Sequence, residues 1–379
     1  MRNFLVRFIC CFVPSRRARH AIRQHMTSVR LRGITPYRPK RDTFVIFSYP
    51  RAIHHQTTTD VCVNMGDYVQ SVATKSLLNQ LFHTAKFQTL DRDNLIGFQP
   101  CERVSYITVY QGFFPADIGW TPTQFIFPVF VGFHLGGAME YNQQDNGSEI
   151  VFQRFCAANP DYFNHRSVGC RDLRTTGFCK KLGLNAYFSR CLTLTLPLRK
   201  TGPRQTQVFI SVFPQIYDIV VQQCREHGIV NFETHSAAVS LEKYRTDDYK
   251  SVAQHDFMPD CEQYLATFRD NARLVITDRI HVAAPCIAMG IPVIVIKRAE
   301  NDPRYDIFNG IIKCYSEQEL RSGKIDFNVS AVDIEPLKAL MRENLKLTIM
   351  GEVYGKHVSK SRLRHIRNQI ANFTVTEEE

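Results

Sequence analysis

The sequence predicts an α/β protein made of two doubly wound domains facing a cleft. Short runs rich in Val, Ile and Phe, such as TFVIFSYP (43–50), VFISVFP (208–214) and IPVIVI (291–296), alternate with longer helical patterns. Such uninterrupted apolar runs suit parallel strands covered on both faces. The chain has 379 residues, too many for one ordinary core. PLRKTGPRQTQ (197–207), with two prolines, a glycine and no apolar period, divides the pattern into two halves.

The elements follow in order. Thr43–Pro50 reads as a buried first strand. The spacing of Tyr68, Val69, Val72, Leu77 and Leu78 predicts an amphipathic helix from about Asp67. Val104–Tyr110 and Gln124–Phe133 read as strands, Ser148–Ala158 as a helix and Ser167–Val168 as a short strand. Arg171–Leu182 predicts a helix stopped by Gly183, and Tyr187–Leu196 a returning strand. Beyond the linker, Pro214 opens a helix, IVNFETH (229–235) is a strand, and Ala237–Ala253 and Asp260–Asn271 read as polar helices. RLVIT (273–277) is a strand, HVAAPCIAMG (281–290) a helix, IPVIVI a strand, and Glu335–Phe373 largely helical. This gives a basic arm over 1–41, an N-terminal α/β domain over 42–200, a C-terminal α/β domain over 201–330 and C-terminal helices over 331–379.

Net charge is +11, from 47 basic and 36 acidic residues. Eleven of the basic residues and none of the acidic ones fall in residues 1–41, so the body is neutral. A neutral body argues against a nucleic-acid partner, and the arm argues for an anionic surface. In the arm, the apolar run Phe4–Val13 is interrupted by Arg7, closed by Pro14 and followed by Arg16, Arg17, Arg19 and Arg23. It is too short to span a bilayer, which takes about 20 residues, and it suits lying in an anionic interface. The twelve cysteines form no CxxC pair and lie near no histidine cluster. They read as reduced, mostly buried thiols, and no metal site is expected. Together these features predict a cytoplasmic protein, peripheral on the inner face of the cell membrane.

Three strand-to-helix junctions carry candidate chemistry. NMGDYVQ (64–70) places Asn64, Gly66 and Asp67 at a helix start, where Gly66 allows close approach and Asp67 suits either an N-cap or a functional acid. SVGCRDLRTTG (167–177) places Arg171 beside a helix N-terminus, well set for an anion. LVITDRIHVAAP (274–285) offers Thr277 and Asp278 as caps, with Arg279 and His281 in the first helical turn. The helix dipole disfavours cations there unless an anion is bound. An ion pair of Arg279 with Asp278 is the structural alternative. There is no GxxxxGK[ST], no GxGxxG after a strand, no HExxH and no GxSxG.

These junctions, as NMGDYVQ, VGCRDLRTTGFCKKLGLNAYFSRCLTLTL and LVITDRIHVAAPCIAMGIPVIVI, resemble the polysaccharide pyruvyl transferase family. Looser similarity spans residues 43–312, including VYQGFF (109–114), His134, Thr234 and His235. Cys170 lies inside the Gly-x-Arg motif, and Ile280 and Val282 flank His281 where the family often has Leu and a small residue. The arm resembles the basic N-termini of bacterial enzymes that build capsule and lipopolysaccharide. The resemblance implies a GT-B-like arrangement of two Rossmann-like domains. It also implies transfer of the pyruvyl carbons of phosphoenolpyruvate onto two sugar hydroxyls, forming a ketal and releasing phosphate. Phosphoenolpyruvate is then a substrate, with no cofactor, and the acceptor is a surface glycan or its lipid-linked precursor.

Arg171, Arg279 and His281 would hold phosphate and carboxylate, helped by the backbone N–H groups near Ile280. His281 would serve as acid and Asp67 as base, with Asn64 and Gly66 in the binding set. Two other readings share these residues: a GT-B glycosyltransferase using a nucleotide sugar, with Glu300 or Asp302 on the ribose, and a non-catalytic glycan-binding relative.

Overall fold

The computed structural model describes residues 35–49, 53–54, 61–92, 95, 98–100, 102–113, 123–136, 147–202, 205–234, 238–240 and 255–375, together with Val13. Apart from Val13, the arm up to residue 34 lies outside the described residues, as do Phe114, Gly137 and His235.

The first half runs β1 (Pro39–Ser48), β2 (Ile53–His54), β3 (Val61–Asn64), α1 (Met65–Leu81), β4 (Lys86–Asp91), β5 (Ser105–Phe113), β6 (Ile126–His134), α2 (Gly147–Ala158), β7 (Val168–Cys170), α3 (Leu173–Lys181) and β8 (Ala186–Phe188). The second runs β9 (Gln207–Ser211), α4 (Pro214–Glu226), β10 (Phe232–Thr234), β11 (Ala238–Ser240), α5 (Met258–Asn271), β12 (Ala272–Thr277), α6 (Ile280–Ala288), β13 (Val293–Ile296), β14 (Cys314–Tyr315), α7 (Glu317–Arg321), α8 (Glu335–Glu352) and α9 (Lys360–Ala371).

Eleven strands form two parallel sheets, ordered β4-β1-β5-β6-β7-β8 and β10-β9-β12-β13-β14, and β11, β3 and β2 form a small antiparallel one. The α/β class follows, with two Rossmann-like sheets. In each, the chain moves one way from its first strand and then returns to the other side. The first sheet therefore has its switch point between β1 and β5, and the second between β9 and β12. Open α/β sheets bind ligands outside the carboxyl ends of the strands at such points.

The alternation within the strands explains their unbroken apolar character. Val208 and Ile210 of β9, with Leu274 and Ile276 of β12, bury one face with Val220 and Cys224 of α4. Phe209 and Val275 face the other way, into a core shared with Phe268, Ile287, Leu194 and the first sheet. Each fully buried side chain of this kind contributes about 1.5–3 kcal/mol. Cys156, Cys170, Cys179, Cys191, Cys224, Cys261, Cys286 and Cys314 are free thiols, and all but Cys156 and Cys314 are buried. No described helix is long and apolar enough to cross a membrane.

The C-terminal helices return to the first half. Glu352 Oε1 accepts from Ser167 N at 2.8 Å, and Arg367 donates to Ser167 Oγ at 2.7 Å while lying over the Tyr187 ring at 3.9 Å. Burial pushes the Glu352 carboxyl up, against the pull of Ser167 and Arg367. Arg190, wholly buried and at φ 58°, donates to the carbonyls of Ile307, Asn309, Ile370 and Phe373. Burial lowers its guanidinium to about 10.

Several elements differ from the sequence expectation. The strand expected over Tyr187–Leu196 ends at Phe188 and gives way to a 3-10 helix, Leu192–Thr195. Leu and Thr alternate there, but both faces are buried, and Thr195 Oγ1 satisfies itself on Leu192 O at 2.7 Å. In place of the start of the polar helix expected over Ala237–Ala253 stands β11, paired antiparallel with β3; residues 241–253 lie outside the described set. That pairing joins the two halves and outweighs local preference. The edge strand β4 and the small strands β2 and β3 have no clear sequence signature.

Candidate active site

The register of β11 on β3 sets Asn64 opposite Ala238. Asn64, not Asp67, is the N-cap of α1: its Oδ1 accepts from Gly66 N at 3.0 Å. The helix begins at Met65, two residues before the expected start, because Asn64 is the better-placed cap. Asp67 falls in the first turn, and its Oδ2 accepts from Asn64 Nδ2 at 3.2 Å.

Gly66 faces His281. A Cβ placed on residue 66 would stand 3.4 Å from His281 Cβ and 3.6 Å from its Nδ1. The first and third junctions, 215 residues apart in sequence, thus meet in space, with room at residue 66 for a Cβ in van der Waals contact and for little more.

At the third junction Arg279 is itself the N-cap of α6, with no side-chain capping bond. Thr277 and Asp278 do not cap the helix. Thr277 Oγ1 accepts from Arg279 N at 3.0 Å and donates to Ser211 O at 2.6 Å, tying the end of β12 to that of β9. The Asp278 side chain, 1% exposed, accepts at Oδ2 from Phe213 N (3.1 Å) and Arg298 Nε (3.2 Å). Its Oδ1 stands 4.0 Å from Arg279 Nε, too far for a hydrogen bond. The Asp278–Arg279 pair, the structural alternative, is therefore the weaker one, since Asp278 is taken by Arg298. Burial raises the Asp278 carboxyl, against the pull of Arg298, the Phe213 N–H and Arg279. Ile280 is the first helical residue, so its N–H has no acceptor within the helix.

Arg171 is 4% exposed, so it is a buried cation and not a solvated surface residue. Its backbone N donates to Phe133 O at 2.7 Å, continuing the ladder between β6 and β7. The helix α3 consequently starts at Leu173, not at Arg171, with Asp172 as an extended N-cap accepting from Thr175 N at 2.7 Å. Arg171 Nε is buried without a hydrogen-bond partner among the described residues. His134, at the carboxyl end of β6, places Nδ1 2.6 Å from Asp172 Oδ2. Burial alone would raise the Asp172 carboxyl, but His134, the Thr175 N–H and Arg171 together hold it below its ordinary range.

A 3-10 helix, Pro303–Phe308, touches both cationic turns. Tyr305 Oη donates to Asp278 O at 2.7 Å, and Asp306 Oδ2 accepts from Leu173 N at 2.9 Å. Arg171 is thereby linked to the Arg279 turn through two consecutive residues. Phe213, Arg298, Tyr305 and Asp306 escaped sequence reasoning. Arg298 had a signal, as a cation directly after an apolar strand.

The acids considered for a ribose are engaged elsewhere. Asp302 holds the Arg304 guanidinium at 2.5–3.0 Å and accepts from Arg304 N, while Glu300 pairs with Lys297 at 3.3 Å. Among the described residues no group of three His, Cys, Asp or Glu is arranged to hold a metal ion. Two surface cavities share Arg41 near the amino end of β1, one of about 420 Å³ against Val353–Gly355 and one of about 540 Å³ against the start of β4; neither includes the candidate residues.

Fold and site together define an α/β protein with cationic turns gathered at the carboxyl edge of its parallel sheets. A model of the polysaccharide pyruvyl transferase family matches residues 151–300, the segment holding the second and third junctions, in agreement with the resemblance stated above. The family is one of transferases acting on polysaccharides. A search of curated proteins finds no match. Among solved structures, the chain is similar to a functionally uncharacterised protein from Klebsiella pneumoniae subsp. pneumoniae NTUH-K2044. That similarity is at 15% identity and a TM-score of 0.38, over 73% of this chain and 92% of the other.

Proposed function

We propose that the protein transfers the pyruvyl group of phosphoenolpyruvate to two hydroxyls of one sugar in a surface glycan or its lipid-linked precursor. The observation that carries this reading is the contact of Gly66 with His281, which unites two of the three motifs beside the Arg279 turn.

Phosphoenolpyruvate bears a phosphate and a carboxylate on three carbons, so its site needs at least two cationic contacts. Arg171, Arg279 and His281 supply them, with the Ile280 N–H assisting. Asp67 takes the proton of the first sugar hydroxyl as its oxygen adds to C2 of the donor, and His281 delivers a proton to the methylene carbon, which becomes a methyl group. The second hydroxyl then displaces phosphate at C2, and its proton leaves with the phosphate. No metal is required, because guanidinium and imidazolium meet the phosphate charge.

In this reading the two halves form a GT-B-like pair around a cleft, and the basic arm holds the enzyme against an anionic membrane on the cytoplasmic side. The test is incubation with phosphoenolpyruvate and a panel of lipid-linked or aryl hexosides. A mass gain of about 70 Da per sugar, with release of inorganic phosphate, is expected. Release of a nucleoside diphosphate from a nucleotide sugar, with no such gain, overturns the reading.

A further inference from the structure

Arg279 and Arg298 share a single aromatic platform. The Arg298 guanidinium lies 3.5 Å from the centre of the Phe213 ring, and that of Arg279 lies 4.5 Å from it. Each turns its Nε toward Asp278, at 3.2 Å for Arg298 and 4.0 Å for Arg279. Their side chains are 23% and 26% exposed. The three residues follow the carboxyl ends of β9, β13 and β12 respectively for Phe213, Arg298 and Arg279. They therefore gather beside the β9/β12 switch point, where an open sheet accepts its ligand.

We propose that Arg279 and Arg298 form a paired-guanidinium seat for the phosphate group of the donor, with Phe213 and Asp278 as its rigid backing. This rests on the proposed function for the identity of the phosphate carrier. It adds Arg298 to the binding set as a phosphate ligand.

Charge and geometry support it. Two guanidiniums face one carboxylate, so the cluster keeps a net positive charge. It also lies at the N-terminus of α6, which adds positive potential. Like charges held this close are costly unless an anion completes the set. Because each Nε is directed to Asp278, the terminal Nη groups are the part left for a ligand, and none of them makes a hydrogen bond among the described residues. A planar guanidinium presents its N–H groups to phosphate in a bidentate fork, and stacking on a ring fixes that fork in advance. The backing is itself bonded: Phe213 N donates to Asp278, and Tyr305 Oη accepts from Arg298 N and donates to Asp278 O.

The experiment is calorimetric titration of the full chain with inorganic phosphate and, separately, with phosphoenolpyruvate, for wild type, Arg298→Gln and Arg298→Lys. Phosphate affinity is expected to fall at least about tenfold in Arg298→Gln, the loss of one charge-assisted pair, with phosphoenolpyruvate affinity falling in parallel. Arg298→Lys keeps the charge toward Asp278 but loses the fork. It should weaken phosphate binding at an unchanged melting temperature, and this variant decides the matter if Arg298→Gln does not fold. Unchanged phosphate affinity in a folded variant overturns the seat. Phosphate binding that depends on Arg298, with no binding of phosphoenolpyruvate, keeps the seat and overturns the donor. Phosphoenolpyruvate binding indifferent to Arg298 does the reverse.

Discussion

Gly66 and His281 stand against one another across the two halves of the chain, with only 3.4 Å between the position of a residue-66 Cβ and the His281 Cβ. A side chain at 66 would also crowd Asn64 Oδ1, at 3.1 Å, and so disturb the cap of α1. Gly66→Val is therefore expected to displace the imidazole. A shift of this size at a catalytic group costs on the order of 100-fold in rate. Steady-state kinetics on phosphoenolpyruvate and an aryl hexoside should show the loss mainly in kcat, alongside the modest fall in melting temperature that a disturbed cap brings, about 0.5–2 kcal/mol. A variant of wild-type rate would mean that His281 does not act from this position.

Gly169 limits the second junction in the same way, but through the fold. A Cβ there would lie 2.7 Å from Tyr187 Oη and 2.9 Å from Phe130 O, and the second of these is backbone and cannot rotate aside. Gly169→Ala should destabilise the protein by about 1–3 kcal/mol, the usual cost of overpacking. Urea unfolding should show the midpoint falling with an unchanged slope.

The Asp172–His134 contact predicts an acid limit to stability. The Asp172 carboxyl sits below its ordinary value of 3.8 in the folded chain, so folding favours its ionised form. A depressed acid contributes stability that is complete above its unfolded pKa and is lost as pH falls through the lower, folded value. Melting temperatures should therefore drop below about pH 4, the ordinary range of a free carboxyl. In Asp172→Asn the protein should be less stable at neutral pH, and the part of the acid slope belonging to this group should vanish. An unchanged slope would show that Asp172 does not carry it.

Arg190 predicts the largest single loss. Its guanidinium is buried without a carboxylate partner among the described residues and satisfies four carbonyls, on Ile307, Asn309, Ile370 and Phe373. Arg190→Met removes the charge but strands those acceptors, at about 1–3 kcal/mol for each that finds no water. Chemical denaturation should show a loss of several kcal/mol by that count, with partial recovery in Arg190→Lys. A near-neutral Arg190→Met would mean that water replaces the guanidinium.

Much of the architecture was legible because both faces of the parallel strands are buried, and this writes continuous Val and Ile runs into β9, β12 and β13. The junction residues were legible because Asn64, Gly66, Arg171, Arg279 and His281 interrupt such runs with polar chemistry. Other features were not, since their cause is non-local. Phe213 reads as core until Arg279 and Arg298 arrive from two other strands. Tyr305 and Asp306 gain meaning only when Asp278 and Leu173 are near. The Leu-Thr alternation of 192–195 mimics a strand because period 2 marks which side a residue faces only when one side meets water. Thr193 is as buried as Leu194.

The bonds of Arg190 also bear on how the protein is made. Its partner Phe373 follows it by 183 positions, and the helices that close over β8 are among the last described elements of the chain. The first sheet to leave the ribosome therefore cannot reach its final state while translation proceeds through the second half. It must wait with a charged side chain and an open edge until the closing segment emerges. Maturation of the front of this protein is timed by synthesis of its back, and a nascent chain stalled before residue 370 would present that unfinished surface to chaperones and proteases.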